Sequence, residues 1–215
     1  MMTPKKYHDL RSEYLHQKLD EQSVRENPFE QFAVWMDQTV QAEILHPTAM
    51  LLATVGVDGQ PSCRVVLLKE VNDKGFVFFT HYDSHKGWQL AENPKVALTF
   101  FWNETERQVR IEGVAEKVDN EISDAYFSSR PLESRLSAAA SPQSSVVGSR
   151  LELEQKRDEI RDRHRDGNIP RPDQWGGFLV IPDKIEFWQG RENRLHDRIV
   201  YQRAHDGWSI QRLAP

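Results

Sequence analysis

From Ala49 onward the period changes from the helical one to two, in short apolar runs cut by turn signals at short intervals. Ala49 to Val55, Ser62 to Val71 and Phe76 to Thr80 are rich in Val, Leu and Phe, separated by Asp58-Gly59 and Asp73-Lys74-Gly75. Successive side chains on a strand point to opposite faces, so a period of two marks strands. Asp-Gly between two such runs signals a hairpin. The economical reading is three consecutive antiparallel strands. Further runs at Lys95 to Trp102, Arg107 to Val118, Gly177 to Ile181, Ile185 to Trp188, Arg194 to Arg203 and Trp208 to Leu213 extend the pattern. Short antiparallel strands expose edges unless the sheet closes, which points to a mainly β fold with helices (α+β), a closed or split β-barrel.

Helices interrupt the strands. Pro28 suits a first helical position, and Phe29, Phe32, Ala33, Met36, Val40 and Ile44 then recur at three- and four-residue steps up to His46-Pro47, predicting one apolar face. Ser84 reads as the N-cap of a helix to Glu92, stopped by Asn93-Pro94. A helix from Asn120 to Ser129 ends before Pro131, a Ser- and Ala-rich loop is expected over Ser134 to Ser149, and Arg150 to Arg165 reads as a solvated, charged helix. Residues 1–25 are polar and form a candidate mobile arm, leaving 26–215 as a single domain.

The net charge of −5 disfavours nucleic acid as a bulk partner, so any anion site must be a local concentration of Arg and Lys. With Cys63 the sole cysteine, no intrachain disulfide or zinc cluster is available. The eight His lack metal-ligand spacing, and no glycine-rich nucleotide fingerprint occurs. No run approaches the roughly 20 apolar residues that span a bilayer, and no signal-peptide segment is seen; a cytoplasmic location is the default expectation.

Local cation concentrations do occur. Arg194, His196 and Arg198 are spaced two apart, which on a strand sets two guanidiniums and an imidazole on one face; Trp188 precedes them, and Leu195 and Ile199 alternate with them. Solvated cations paired with neighbouring carboxylates are the plain alternative to a strand facing a planar anionic ligand. Arg64-Val-Val-Leu-Leu-Lys69 carries a cation at each end; opposite parity predicts opposite faces and different anions. Ser84-His85-Lys86 opens a helix, whose unpaired N–H groups suit a phosphate. Tyr126, Arg130 and Ser134 recur every four residues, with Pro131 bending the chain between the last two.

In order and spacing these motifs resemble the pyridoxine/pyridoxamine 5'-phosphate oxidase family, over nearly the whole chain from Arg11 to Arg212-Leu-Ala-Pro215. The resemblance implies an FMN-binding split β-barrel of antiparallel Greek-key type flanked by helices, working as a homodimer with FMN at the subunit interface. It implies oxidation of pyridoxamine or pyridoxine 5'-phosphate to pyridoxal 5'-phosphate, with oxygen as acceptor and hydrogen peroxide as product. The positions matching the family's FMN site are Arg64, Val65, Val66, Leu67, Leu68, Lys69, Phe79, Thr80, His85, Lys86, Gln108, Gln143, Ser144, Trp188 and Arg198, with Gln143-Ser144 reaching FMN from the partner subunit. Those matching the substrate site are Arg11, Tyr14, Lys69, Tyr126, Arg130, Ser134, Arg194, Leu195 and His196, with Arg194 and His196 at the reacting carbon. His85 stands where the family pattern has Arg, which predicts weaker FMN binding, and Ser137-Ala138-Ala139 replaces a bulkier segment. Another split-barrel flavin oxidoreductase and a non-catalytic carrier of FMN or pyridoxal phosphate remain the alternatives.

Overall fold

The structure is a computed structural model describing residues 18–215; Arg11 and Tyr14 lie outside the described residues. Among these, five α-helices and nine strands form a mixed α+β fold. The elements are α1 (Pro28–Gln41), β1 (Ala49–Val55), β2 (Pro61–Leu67), β3 (Glu70–Val71), β4 (Phe76–His81), α2 (His85–Glu92), β5 (Lys95–Trp102), β6 (Arg107–Lys117), α3 (Asn120–Ser129), α4 (Leu132–Ala140), α5 (Arg150–Arg163), β7 (Trp175–Gln189), β8 (Asp197–Ala204) and β9 (Gly207–Arg212). The hydrogen-bonded strand order is β2-β1-β5-β6-β7-β4-β3, with β8 on β7 and β9 on β8.

The chain divides into two compact units, one of Thr48–Thr99 with Ile111–Asp183, the other of the described residues through Pro47 with Phe100–Arg110 and Lys184–Pro215. In the first, β1 pairs antiparallel with β2 and β5, β3 with β4, and β4 with the start of β7. A core of Phe127, Leu136, Ala138, Ala140, Ile160, Ile169 and Trp175 packs beneath α3, α4 and α5. In the second, the end of β7 pairs with β8 and β8 with β9. Its core is aromatic: Phe32 meets Phe100 at 5.0 Å, Trp35 meets Phe187 at 5.1 Å, and Phe187 meets Tyr201 at 5.5 Å.

Several expected boundaries move. α1 is capped by Asn27 and stops at Gln41; its buried face is Pro28, Phe29, Gln31, Phe32, Trp35 and Thr39, leaving Ala33 and Val40 exposed. Large aromatics thus set the rotation of α1 in place of the aliphatic spacing. The run 62–71 is two strands, because the chain leaves the β1 ladder after Leu67 and β3 joins β4. The expected loop from Ser134 begins instead within α4, where Leu136, Ala138 and Ala140 are buried; alanine is the best helix former. Gly177 to Ile181 and Ile185 to Trp188 form one strand, β7. Pro182 falls between Val180, the last residue paired to β4, and Lys184, the first paired to β8, where its missing N–H removes no bond to either.

Candidate functional site

A cleft of about 760 Å³ lies in the first unit, and four of its lining residues are cations: Arg64, Lys69, Lys86 and Arg130. Each comes from a different element. Arg64 sits in β2, Lys69 at the break before β3, Lys86 in the first turn of α2, and Arg130 at the C-cap of α3. Glu133 is the one carboxylate among the described lining residues, and Arg161 holds it at 2.7 Å. The parity reading of Arg64 and Lys69 therefore fails: β2 ends before Lys69, so no strand period relates them, and both line one cleft.

At one end, Ser84 caps α2, accepting from the Gly87 N–H. Gly87 is required there, since a Cβ would lie 2.0 Å from the Tyr82 carbonyl oxygen. This close approach buries Lys86, whose Nζ donates to Gln143 Oε1 (2.7 Å), Thr80 Oγ1 (3.1 Å) and Ser84 Oγ (3.3 Å), all uncharged. Burial, then the nearby Arg64, pulls its ammonium down to about 8. Arg64 is likewise held by neutral oxygens, Thr54 Oγ1 at 2.5 Å and Ser62 Oγ at 2.8 Å. Gln143, in the loop after α4, meets Lys86 and Thr80 of its own chain.

At the other end, Phe79, Tyr126 and Trp175 stack, with Phe79 4.1 Å from Tyr126 and 5.4 Å from Trp175. Lys69 Nζ lies 6.0 Å above Tyr126, and the Arg130 guanidinium 4.8 Å from Trp175. Arg130 Nη1 is buried with no hydrogen-bond partner, and burial lowers its pKa. A buried, unpaired guanidinium N–H is costly, and a phosphate oxygen is the ligand chemistry that would satisfy it. Ser134, in the first turn of α4, lines the same cleft.

The C-terminal motif belongs to the second unit and is not one strand face. β8 starts at Asp197; Arg194 ends a short 3-10 turn at φ +60° and is exposed, as is Leu195. The backbone must turn at Asn193 and Arg194 before pairing resumes, so the two-residue spacing cannot align them. His196 packs on Trp188 with ring centroids 4.7 Å apart, and its Nδ1 accepts from the Arg191 N–H at 3.1 Å, placing the proton of the neutral ring on Nε2. Burial, then Arg194, lowers its pKa. Arg198 donates through Nε and Nη2 to the two oxygens of buried Glu186, at 2.9 and 3.0 Å. Gln108, in β6, is half-buried.

Of the remaining expected positions, Val65, Val66, Leu67, Phe79 and Thr80 line the cleft. Leu68 is buried at 6% exposure and is not among the lining residues, while His85 and Ser144 are exposed. The sequence reading missed His81 and Trp175, which line the cleft together with Ser137 of the departing segment, and the buried supports Thr54, Gln89 and Glu186. Burial, then Lys86 and Arg130, pushes the His81 pKa down, so it sits in the field of both cation groups. The only signal for Thr54 was a polar residue in the apolar parity of β1, alongside Met50 and Leu52; Gln89 shares a helix face with Lys86.

Among the described residues no group of three or more His, Cys, Asp or Glu could hold a metal ion, and no helix is long and apolar enough to cross a membrane. The family pattern "Pyridoxamine 5'-phosphate oxidase" matches residues 36–164, and "Pyridoxine 5'-phosphate oxidase C-terminal dimerisation region" matches 175–215. Two curated relatives carry the name pyridoxine/pyridoxamine 5'-phosphate oxidase. The protein of Gloeothece citriformis is 53% identical, covering 96% of this chain and 97% of its own. That of Thermosynechococcus vestitus is 55% identical, covering 96% and 98%. Among solved structures, PhzG from Burkholderia lata, in complex with tetrahydrophenazine-1-carboxylic acid, superposes with TM-score 0.89 at 27% identity over 95% of this chain and all of its own. A pyridoxamine 5'-phosphate oxidase-related, FMN-binding protein from Nostoc punctiforme has TM-score 0.69 at 17% identity over 87% and 98%, a likeness of fold. The expected fold class holds: the strand pattern pointed to an α+β closed or split barrel, and the split form is the one the resemblance implied. On the match of both family patterns and of relatives over nearly its full length, the chain belongs to the pyridoxine/pyridoxamine 5'-phosphate oxidase family.

Proposed function

We propose that the protein oxidises pyridoxamine 5'-phosphate and pyridoxine 5'-phosphate to pyridoxal 5'-phosphate, using FMN and oxygen, in the cytoplasm and as a homodimer with FMN at the interface. The observation that carries this is the buried, partnerless Nη1 of Arg130 in a cleft where two of the three other cations, Arg64 and Lys86, are held by neutral groups. Such a donor set fits phosphate. Arg64, Thr80, Lys86 and Gln143 would hold the FMN phosphate; Lys69, Tyr126, Arg130 and Ser134 would hold the substrate phosphate. Gln108, Trp188 and Arg198 would contact the flavin ring. When bound, FMN would supply a two-electron acceptor for the hydride equivalent leaving the carbon that bears the amine or hydroxyl, with oxygen taking the electrons as hydrogen peroxide and water releasing ammonia from the amine.

Arg194 and His196 would orient that carbon, and the stacked Phe79, Tyr126 and Trp175 wall off water beside the substrate phosphate. Arg11 and Tyr14 remain assigned to the substrate as part of the same reading, with residues 1–25 as an arm and 26–215 as the catalytic domain. A second reading, a flavin oxidoreductase acting on a reduced ring in place of an exocyclic amine or alcohol, is favoured by the likeness to PhzG, solved with tetrahydrophenazine-1-carboxylic acid. Aerobic turnover of the FMN-loaded protein with pyridoxamine phosphate separates the two. Aldehyde formed in step with oxygen consumed supports the oxidase; FMN binding with neither signal defeats it and leaves the second reading.

A further inference from the structure

Arg64 is the cation of the cleft with the most defined surroundings. Nη1 donates to Thr54 Oγ1 at 2.5 Å and to the Leu52 carbonyl oxygen at 3.3 Å; Nη2 donates to Ser62 Oγ at 2.8 Å and reaches Gln89 Oε1 at 3.5 Å. Thr54 is fully buried and Gln89 is 6% exposed. The Thr54 hydroxyl has one proton, and it goes to Gln89 Oε1 at 2.6 Å. A lone pair of Thr54 is thereby left facing Arg64. The relay fixes which way the guanidinium points, and its four acceptors are all uncharged. Among the described residues Nε has no partner. The result is an oriented cation whose charge no carboxylate neutralises, one of the groups lining a cleft that holds three further cations.

We infer that Thr54 and Gln89 are positioning residues that make Arg64 select a phosphorylated flavin over its dephosphorylated form. This rests on the reading that Arg64 holds the FMN phosphate. Neutral partners orient the guanidinium without lowering its attraction for a dianion, and a carboxylate in the same place would do both. Gln89 belongs to α2, which also carries Lys86, so one helix sets both cations at that end.

The test titrates the full-length, flavin-free protein with FMN and with riboflavin, read by flavin fluorescence, for the parent, Gln89→Glu, Thr54→Val and Arg64→Met. In Gln89→Glu and Thr54→Val, FMN should bind at least about ten-fold more weakly while riboflavin stays within about two-fold. A structural fault would weaken both ligands alike, and that outcome overturns the inference. An unchanged FMN preference in both variants, with Arg64→Met losing it, also overturns the inference while sparing the phosphate assignment. If Arg64→Met keeps the preference, the phosphate assignment falls and the inference with it. Should Gln89→Glu fail to fold, because it buries a carboxylate, Thr54→Val decides alone.

Discussion

The cations of the cleft and two arginines of the C-terminal strands are held in opposite ways. In the cleft, Arg64 and Lys86 are held by hydroxyls, amides and a carbonyl, and Arg130 Nη1 has no partner. In the other unit, Arg198 is bound by both oxygens of Glu186, and Arg212 by Glu21 and Asp197 at 2.7 Å each. Neutral acceptors fix direction and leave the cation's field intact; a carboxylate fixes direction and cancels the field. The first arrangement is poorly stable alone and ready for an anion. The second is complete within the chain, so Arg198 would steer a flavin by shape and hydrogen bonding more than by charge.

The sharpest way to break this comparison is to make the same substitution in both places. Arg198→Met leaves the Glu186 carboxylate buried, with Arg110 still beside it at 3.5 Å. It should destabilise the protein by about 3 kcal/mol in urea unfolding. Arg130→Met removes a buried, unsatisfied donor and should leave stability unchanged or raised, while weakening pyridoxal phosphate binding by roughly 10- to 100-fold, the worth of about 1.5–3 kcal/mol. Equal destabilisation by both would end the distinction.

A pH series sharpens it. Lys86 has a folded pKa of about 8 against an ordinary 10.5, so the folded state releases the proton first. Its contribution makes stability rise with pH between about 8 and 10.5, and below 8 the buried ammonium is a standing cost. A phosphate seated on Lys86 raises that pKa. FMN affinity should therefore fall above pH 8, by up to about ten-fold per unit, with proton uptake on binding seen by calorimetry in two buffers. Lys86→Met should abolish both; retention of the pH slope in that variant would assign it elsewhere.

The smallest effect is expected at His85. It lies exposed in the first turn of α2, so Arg there acts through water and salt. His85→Arg should tighten FMN binding by less than about two-fold at roughly 0.15 M salt, and a gain of about ten-fold would show direct contact.

Much of the architecture was legible. β1, β5, α2 and α3 run as the alternation and punctuation predict, because each depends on local signals: an Asp-Gly turn, a Ser84 cap, a Pro94 or Pro131 stop. Long-range packing was not legible. α1 rotates to bury Trp35 and Thr39, α4 replaces a loop, and Lys69 leaves the strand of Arg64. The rotation of α1 and the exit of Lys69 depend on which distant element offers a surface, which local propensity does not encode; the helix propensity of the alanines in α4 was a local signal that the loop reading passed over.

The sequence by itself determined the family, the strand count to within a merge and a split, and the cations Arg64, Lys69, Lys86 and Arg130, since charge and residue type travel with the chain. The tertiary structure alone decided that all four face one cleft and that Arg64 and Lys86 have neutral partners. It also decided that Arg198 of the C-terminal motif is paired before any ligand arrives. Hydrogen-bond partners such as Thr54 with Gln89, 35 residues apart, or Arg198 with Glu186 across a strand pair, exist only once the backbone has brought them within about 3 Å.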